Sequence, residues 1–438
     1  MSYRLLAVLL LLILLPPPPA RSQTAPRAGT LIVDPVLVPY TLPILREERV
    51  DLGDYDGDGD LDLLLTGHNG QRPESRVFVA EDTLFTLTVG EQTTVHTFKR
   101  YRPIVAIIDP VYRGMSRWGD YDGDGDGDLL IAGIALVEVS VDRTEEQVIT
   151  RLYRNQNGVF VEDTRPTFVP VYGGQAAWGD YDGDGDLDLV LAGATRLTPP
   201  FEPRTRLYRN DDGLLTDTGL DLPGLAFGDL AWGDYDGDGD LDLALLGATD
   251  RAYRTVILRN DGDTFTDIGA GLPGLAHGDL DWGDYDGDGD LDLLVVAGRL
   301  APGLLRGFTR LYRNDGGTFS AVDPGLPDLA PALARWIDLD LDGDLDLLMS
   351  GRNGLLGDPV GAIYRNDNGT YLLDRTLPGL LFGDIAVGDY NGDGDPDYVL
   401  AGLSIASDRP ALLFYMNRTI PEPLLPCLTD AMEVCTGL

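Results

Sequence analysis

The chain has 438 residues, of which 43% are hydrophobic, and its formal charge is −39 with a pI near 4.1. Such acidity argues against nucleic acid, whose phosphates need basic partners, and no basic run or aromatic-basic patch is present. The only cysteines, Cys427 and Cys435, lie in the last dozen residues. They can close a small loop in an oxidising compartment or remain free thiols, but they cannot hold the body together.

Residues 1–22 read as a secretory signal. Arg4 precedes the apolar run Leu5–Leu15, four prolines follow, and Ala20-Arg21-Ser22 gives a small-x-small cleavage pattern. The run is short for a membrane span, and no later stretch approaches eighteen apolar residues. The expectation is a secreted or cell-surface chain with no transmembrane helix; the competing reading is an uncleaved anchor. Residues 23–30 form a flexible lead, residues 31–417 the body and residues 418–438 a tail.

Leu31–Val38 is apolar enough for a strand. From Asp51 a unit is then written seven times, marked by G-D-Y-D-G-D-G-D-L-D-L at Gly53 and near-copies beginning at Gly119, Gly179, Gly233, Gly283, Ile337 and Gly388. The first Asp of each copy follows the previous one after 66, 60, 54, 50, 54 and 51 residues. The best-preserved unit runs from Gly228 to Ile268. Its inner segment G-D-L-A-W-G-D enters the acidic loop. Leu241–Gly247 is a short apolar run bounded by Gly, Arg254–Asp263 a third strand entering a turn, and Thr264–Ile268 a fourth. Four short strands per unit, repeated seven times, predict an all-β, seven-bladed propeller of four-stranded blades.

The seventh unit has a second strand at Tyr398–Gly402 and a third at Ala411–Asn417 but no convincing fourth. The N-terminal strand at Leu31–Asp34 is expected to supply it, closing the ring and hiding its open edges. Connections between second and third strands are expected to be long loops in four blades: blade 1 (His68–Pro73, continuing irregularly to Arg102), blade 2 (Ile134–Gln147), blade 3 (Ala194–Pro203) and blade 5 (Arg299–Gly307).

Carboxylates at alternate positions of a tight loop make a cage of hard oxygen donors, which suits calcium better than the small, rigid octahedron of magnesium. Positions 1, 3, 5, 7 and 9 are Asp54, Asp56, Asp58, Asp60 and Asp62 in the first loop, and Asp120, Asp122, Asp124, Asp126 and Asp128 in the second. The third has Asp180, Asp182, Asp184, Asp186 and Asp188; the fourth has Asp234, Asp236, Asp238, Asp240 and Asp242. The fifth has Asp284, Asp286, Asp288, Asp290 and Asp292; the sixth has Asp338, Asp340, Asp342, Asp344 and Asp346. The seventh has Asp389, Asn391, Asp393, Asp395 and Asp397. Position 7 is expected to offer its carbonyl. These loops hold 34 of the 72 acidic residues, and seven calcium ions would bring −39 to −25. The bland alternative is a set of solvated acidic turns. Leu341, where other loops have Gly, and Asn391 with Pro396 make the sixth and seventh sites the weaker ones.

With its D-x-D-G-D-G-x-x-D loops and the Y-R-N-x-x-G-x-F turns (Tyr153, Tyr208, Tyr312 and Tyr364 begin the matching Y-R-N steps), the chain resembles the FG-GAP/VCBS repeat family, the calcium propellers related to integrin alpha-subunit heads. The resemblance covers nearly everything from Leu31 to Asn417. It implies calcium between the first and second strands of each blade, and a partner on the opposite face.

All five tryptophans (Trp118, Trp178, Trp232, Trp282 and Trp336) stand two residues before a loop's first Asp, where Leu52 and Val387 stand in the other units. A position that takes Trp, Leu or Val is expected to be packing between blades. His68, His96 and His277 occupy unrelated positions and are expected to be surface or loop residues. No nucleophile motif or phosphate loop is present, and no catalytic residue is assigned. The expected function is a monomeric, secreted, non-enzymatic binding or adhesion scaffold for an extracellular protein or glycan. The alternatives are a carbohydrate-binding lectin, with exposed aromatics on the loop-rich face, and a polysaccharide-cleaving enzyme with a central pocket. Asn368-Gly-Thr and Asn417-Arg-Thr are N-glycosylation sequons.

Overall fold

A computed structural model describes residues 32–36 and 42–418, apart from positions 44, 90–91, 141–142, 263, 302–303, 354–356, 405–406 and 408. Residues 1–31 and 419–438, with the expected signal, the lead and Cys427 and Cys435, therefore lie outside the described residues. Seven antiparallel sheets of four strands each are arranged as a ring. Each inner strand touches the next, and that of blade 7 (Leu380–Gly388) touches that of blade 1 (Arg46–Gly53). No helix among the described residues is long and apolar enough to cross a membrane.

Blade 4 shows why the unit folds as it does. Its strands are Ala226–Gly233, Asp242–Ala248, Tyr253–Asn260 and Phe265–Asp267. The second strand, D-L-A-L-L-G-A, is buried along nearly all its length because both faces meet neighbouring blades. It therefore reads as a continuous apolar run rather than an alternation. The fourth strand has only three residues and little to bury. Leucines such as Leu243 and Leu245, fully removed from water, each contribute about 1.5–3 kcal/mol of burial.

The tryptophans fill the gaps between blades. Trp232 lies 6.5 Å from Tyr181 of blade 3 and Trp282 lies 6.3 Å from Tyr235 of blade 4, their rings nearly parallel. A Cβ on Gly233 would stand 2.7 Å from the Trp282 ring, so the loop-entry glycine is a consequence of the tryptophan.

In six blades the inner strand carries a β-bulge; in blade 6, Ala332–Ile337 pairs without one. The first bulge residue is Glu47, Arg113, Gly173, Phe227, His277 or Phe382, with φ of 51°, 49°, 58°, 56°, 58° and 55°. Only one of these is glycine. For the others the left-handed backbone costs about 1–2 kcal/mol.

The expected long loops of blades 2 and 5 are strands instead, and in blade 1 only the short turn 69–72 remains a loop. In blade 1, Pro73–Val89 and Gln92–Pro103 pair down to Val89↔Gln92, so the stretch read as irregular is a long hairpin. In blade 2, Asp128–Ser140 and Arg143–Asn155 pair out to Ser140↔Arg143, and in blade 5 Asp292–Ala301 and Leu304–Asn314 pair out to Ala301↔Leu304. In blades 1 and 2 β-branched residues such as Thr83, Thr86, Val137 and Val139 suit the longer ladder, whereas blade 5 extends through Arg299, Leu300 and Ala301 without any. The blade 3 connection, 195–202, remains a loop. In blade 7 the third strand, Arg409–Arg418, has Ile32–Val36 antiparallel beside it, in register from Ile32↔Arg418 to Val36↔Phe414.

Candidate metal centre

Each acidic loop joins the end of an inner strand to the start of a second strand, so all seven lie on one face. The first carboxylate organises the turn. Asp54 Oδ1 accepts the N–H of Gly57 at 2.8 Å and of Asp58 at 3.1 Å, and Oδ2 accepts that of Gly59 at 2.9 Å. The same pattern recurs at Asp180, Asp284 and Asp389. Gly57 and Gly59 have φ of 74° and 90°, which glycine adopts without steric cost. Leu341 takes the former position in the sixth loop at φ 58°.

Oxygens of positions 1, 3 and 9 come within 4.8 Å of one another in four loops: Asp120/Asp122/Asp128, Asp180/Asp182/Asp188, Asp234/Asp236/Asp242 and Asp284/Asp286/Asp292. In the first loop the matching group is Asp54, Asp56 and Asp58. Position 5 has a backbone task, since Asp58, Asp124 and Asp184 each accept the N–H of position 7 through Oδ1.

Position 7 turns away from that group. The side chains of Asp126, Asp186, Asp290 and Asp344 accept N–H groups of Asn157, Asp212, Gly316 and Asn368, in the turn between third and fourth strands. Asp60 is paired with Lys99 instead.

Position 9 is a buried hub. Asp242 Oδ1 accepts the Asn260 N–H at 2.8 Å, and Oδ2 accepts the Tyr235 N–H at 3.2 Å. Burial pushes Asp62, Asp128, Asp188, Asp242, Asp292 and Asp346 up to about 7 and Asp397 up to about 8, against the pull of those N–H donors. Burial and neighbouring carboxylates also raise position 3, at Asp56, Asp236 and Asp286 among others.

The donor set fits a divalent cation. Asp122 gives one oxygen to Arg154 at 2.9 Å, while its Oδ1 is buried without a hydrogen-bond partner. Asp340 likewise gives Oδ2 to Arg365 at 3.2 Å and leaves Oδ1 unpartnered. Asp397 Oδ2 is a third such oxygen. Buried carboxylate oxygens aimed at one another are unfavourable unless protonated or bound to a cation. In the seventh loop Asn391 Oδ1 accepts the Asp393 N–H, and its buried Nδ2 has no partner.

The asparagine of Y-R-N reads in sequence as a turn residue. In the structure it is an inter-blade clip. Asn260 Nδ2 donates to the Tyr181 carbonyl of blade 3 at 2.7 Å and to the Leu241 carbonyl of its own loop at 3.2 Å. Asn155, Asn210, Asn314, Asn366 and Asn417 reach the preceding blade's loop in the same way, at Tyr55, Tyr121, Tyr235, Tyr285 and Leu339. Each acidic loop of blades 1–6 is thus fastened to the blade after it. Asn417 is fully buried in this role and is not an available glycosylation acceptor, whereas Asn368 is exposed. The recurrence of Asn beside a varying turn was the signal that could have revealed the clip.

Two histidines also depart from expectation: His277 and His68 are half-buried, His277 stacking on Phe227 at 6.0 Å and His68 lying edge-on to Tyr112 at 5.3 Å.

An all-β ring of seven blades, with an acidic Asp/Gly loop repeated at one corner of every blade, defines a repeat propeller. The pattern described as FG-GAP-like repeat matches residues 120–191 and 234–295. The chain therefore carries FG-GAP-like repeats in blades 2 to 5 of its ring. No curated protein matches it. Among solved structures it is similar to a protein of unknown function from Dyadobacter fermentans (16% identity, TM-score 0.42, 79% of this chain and 97% of that one). It is also similar to the V. cholerae biofilm matrix protein Bap1 (12%, 0.30, 89% and 90%). A third is the intramolecular trans-sialidase from Ruminococcus gnavus (13%, 0.38, 85% and 94%).

Proposed function

We propose that this chain is a secreted, calcium-stiffened propeller that acts as a binding or adhesion scaffold for an extracellular protein or glycan, and is not an enzyme. One observation carries the reading. Carboxylate triads recur on one face with buried oxygens that only a proton or a cation can satisfy, at Asp122 and Asp340 most plainly. Calcium there supplies charge neutralisation and fixes the loop, which the asparagine clip fastens to the next blade. Dissociation constants of about 0.1–1 mM, those of extracellular modules, would fill the sites outside cells.

The opposite face carries the second-to-third-strand connections, which differ from blade to blade in length and form. A rigid ring with variable loops on one side is how binding surfaces are commonly built. The deciding experiment is thermal unfolding of the chain from Gln23 onward, with excess calcium and with chelator, beside a count of bound ions. A large calcium-dependent rise with several ions per chain supports the reading. No shift would reduce the loops to solvated turns.

A further inference from the structure

The six left-handed bulge residues stand at the start of the inner strands, so they ring the axis at the end opposite the acidic loops, beside the second-to-third-strand connections. They form a nearly continuous girdle. Phe382 and Glu47 line one cleft, Glu47 accepts from Arg113 Nε at 2.9 Å, and Phe227 stacks on His277 at 6.0 Å. Blade 3 has glycine here because a Cβ on Gly173 would stand 2.6 Å from the Phe227 ring.

Bulge geometry does not explain these side chains. Glycine would satisfy the left-handed backbone at every one of these positions, and Gly173 shows that the fold accepts it. Five large residues are held there against conformational preference, and strain of that kind collects at functional sites. Phe382 is 56% exposed, so interior packing does not account for it either.

The chemistry of the girdle is divided. One arc is aromatic: Phe227 and His277 are flanked by Phe201 at 5.6 Å from Phe227 and Tyr253 at 5.6 Å from His277. The other arc is a cleft of about 330 Å³ walled by Phe382, Leu403 and Tyr112, with His68, Arg46 and Glu47 as its polar groups. Flat aromatic faces carry negative quadrupolar charge that attracts the C–H face of a pyranose ring. Carboxylate, guanidinium and imidazole groups beside them suit its hydroxyls. A cavity of this size with apolar walls and few polar groups is typical of small-ligand sites.

We infer that this girdle is an oligosaccharide-binding site, with sugar rings stacked on Phe382 and on the Phe227–His277 arc and hydroxyls held by Glu47 and Arg113. The inference rests on the scaffold reading and names its ligand class.

The test is an array of defined oligosaccharides probed with the full chain in millimolar calcium, followed by calorimetric titration of the best binder. The variants are F382G and R113G, where glycine relieves the left-handed backbone. Binding about tenfold weaker or worse, with a melting temperature unchanged or raised, is the expected result for both. A double variant, F227A with H277A, tests the aromatic arc. Two results overturn the inference: no oligosaccharide bound by the native chain, or one bound equally by F382G and R113G. A protein ligand captured on this face by a chain that binds no glycan would remove the oligosaccharide assignment and leave the scaffold standing.

Discussion

The junction between blades 4 and 5 and the junction between blades 7 and 1 join equivalent edges by different means. At the first, Trp282 stacks on Tyr235, its Nε1 donates to the Ala231 carbonyl at 3.3 Å, and Asn314 clips the Tyr235 carbonyl at 2.7 Å. At the second, Leu52 stands in the tryptophan slot, and Ala80 stands where the other blades have the asparagine. Ala80 keeps only the backbone half of the arrangement, donating its N–H to Asp62 at 2.8 Å. Tyr101 partly replaces the clip, donating to the Leu61 carbonyl at 3.1 Å and packing on Phe414 of blade 7 at 5.5 Å. The tryptophan recurs at the boundaries from blades 1 and 2 to blades 5 and 6, Val387 replaces it between blades 6 and 7 where the Asn417 clip is kept, and the boundary between first and last units has neither Trp nor Asn.

Calcium removal should separate the two junctions most. Under chelator, amide exchange should rise first in blades 7 and 1, with blades 3–5 following at higher temperature; uniform loss of protection would mean the seam is no weaker. Removing residues 1–36 should speed exchange along Arg409–Arg418 above all, because that strand would become an open edge; unchanged protection there would show that Ile32–Val36 does not close the ring.

Packing comes next. W282A should cost about 3–5 kcal/mol and L52A about 2–3, read from denaturant midpoints. Equal losses would show that the seam packs as tightly as the internal junction. N260A removes donors from two carbonyls and should cost about 2 kcal/mol, while Y101F should cost about 1. A larger loss for Y101F would make the tyrosine the stronger fastener.

The smallest effect is with pH. The position-9 carboxyls are raised to about 7 or 8 by burial, so the calcium-free folded chain holds protons that the unfolded chain, with ordinary carboxyls, has released. Between pH of about 4 and 8 the folded state therefore binds more protons, and stability falls as pH rises through that window. With chelator the melting temperature should be higher near pH of about 5 than near 8, and the gain from calcium should be largest at the alkaline end. A melting temperature that rises with pH under chelator would contradict the burial of these groups.

Most of the ring was legible because its signals repeat in register: the acidic loop, the buried second strand and the tryptophan slot each recur with one structural meaning. What was missed lacks that recurrence. The hairpins at 73–103, 128–155 and 292–314 are particular to their blades, and stretches such as T-L-F-T-L-T-V were read as irregular because no other unit supports them. The girdle escaped for another reason. Phe, His and Arg carry no mark of a left-handed backbone, and only the glycine after five of the six bulge residues (Gly114, Gly174, Gly228, Gly278 and Gly383) hints at it, Glu47 being followed by Glu48. Position 7 was assigned by its carbonyl, and its side chain's hold on the neighbouring turn depends on a contact that spacing cannot report.

The pairing of Ile32–Val36 with Arg409–Arg418 also sets how the ring responds to tension. Ile32 lies opposite Arg418, so the chain enters the first strand and leaves the second at the same end of the ladder. A load pulling the two chain ends apart would peel this pair open one hydrogen bond at a time instead of shearing all of them together. A chain tethered through both ends would yield at this latch under modest force, and the blades behind it would keep their shape.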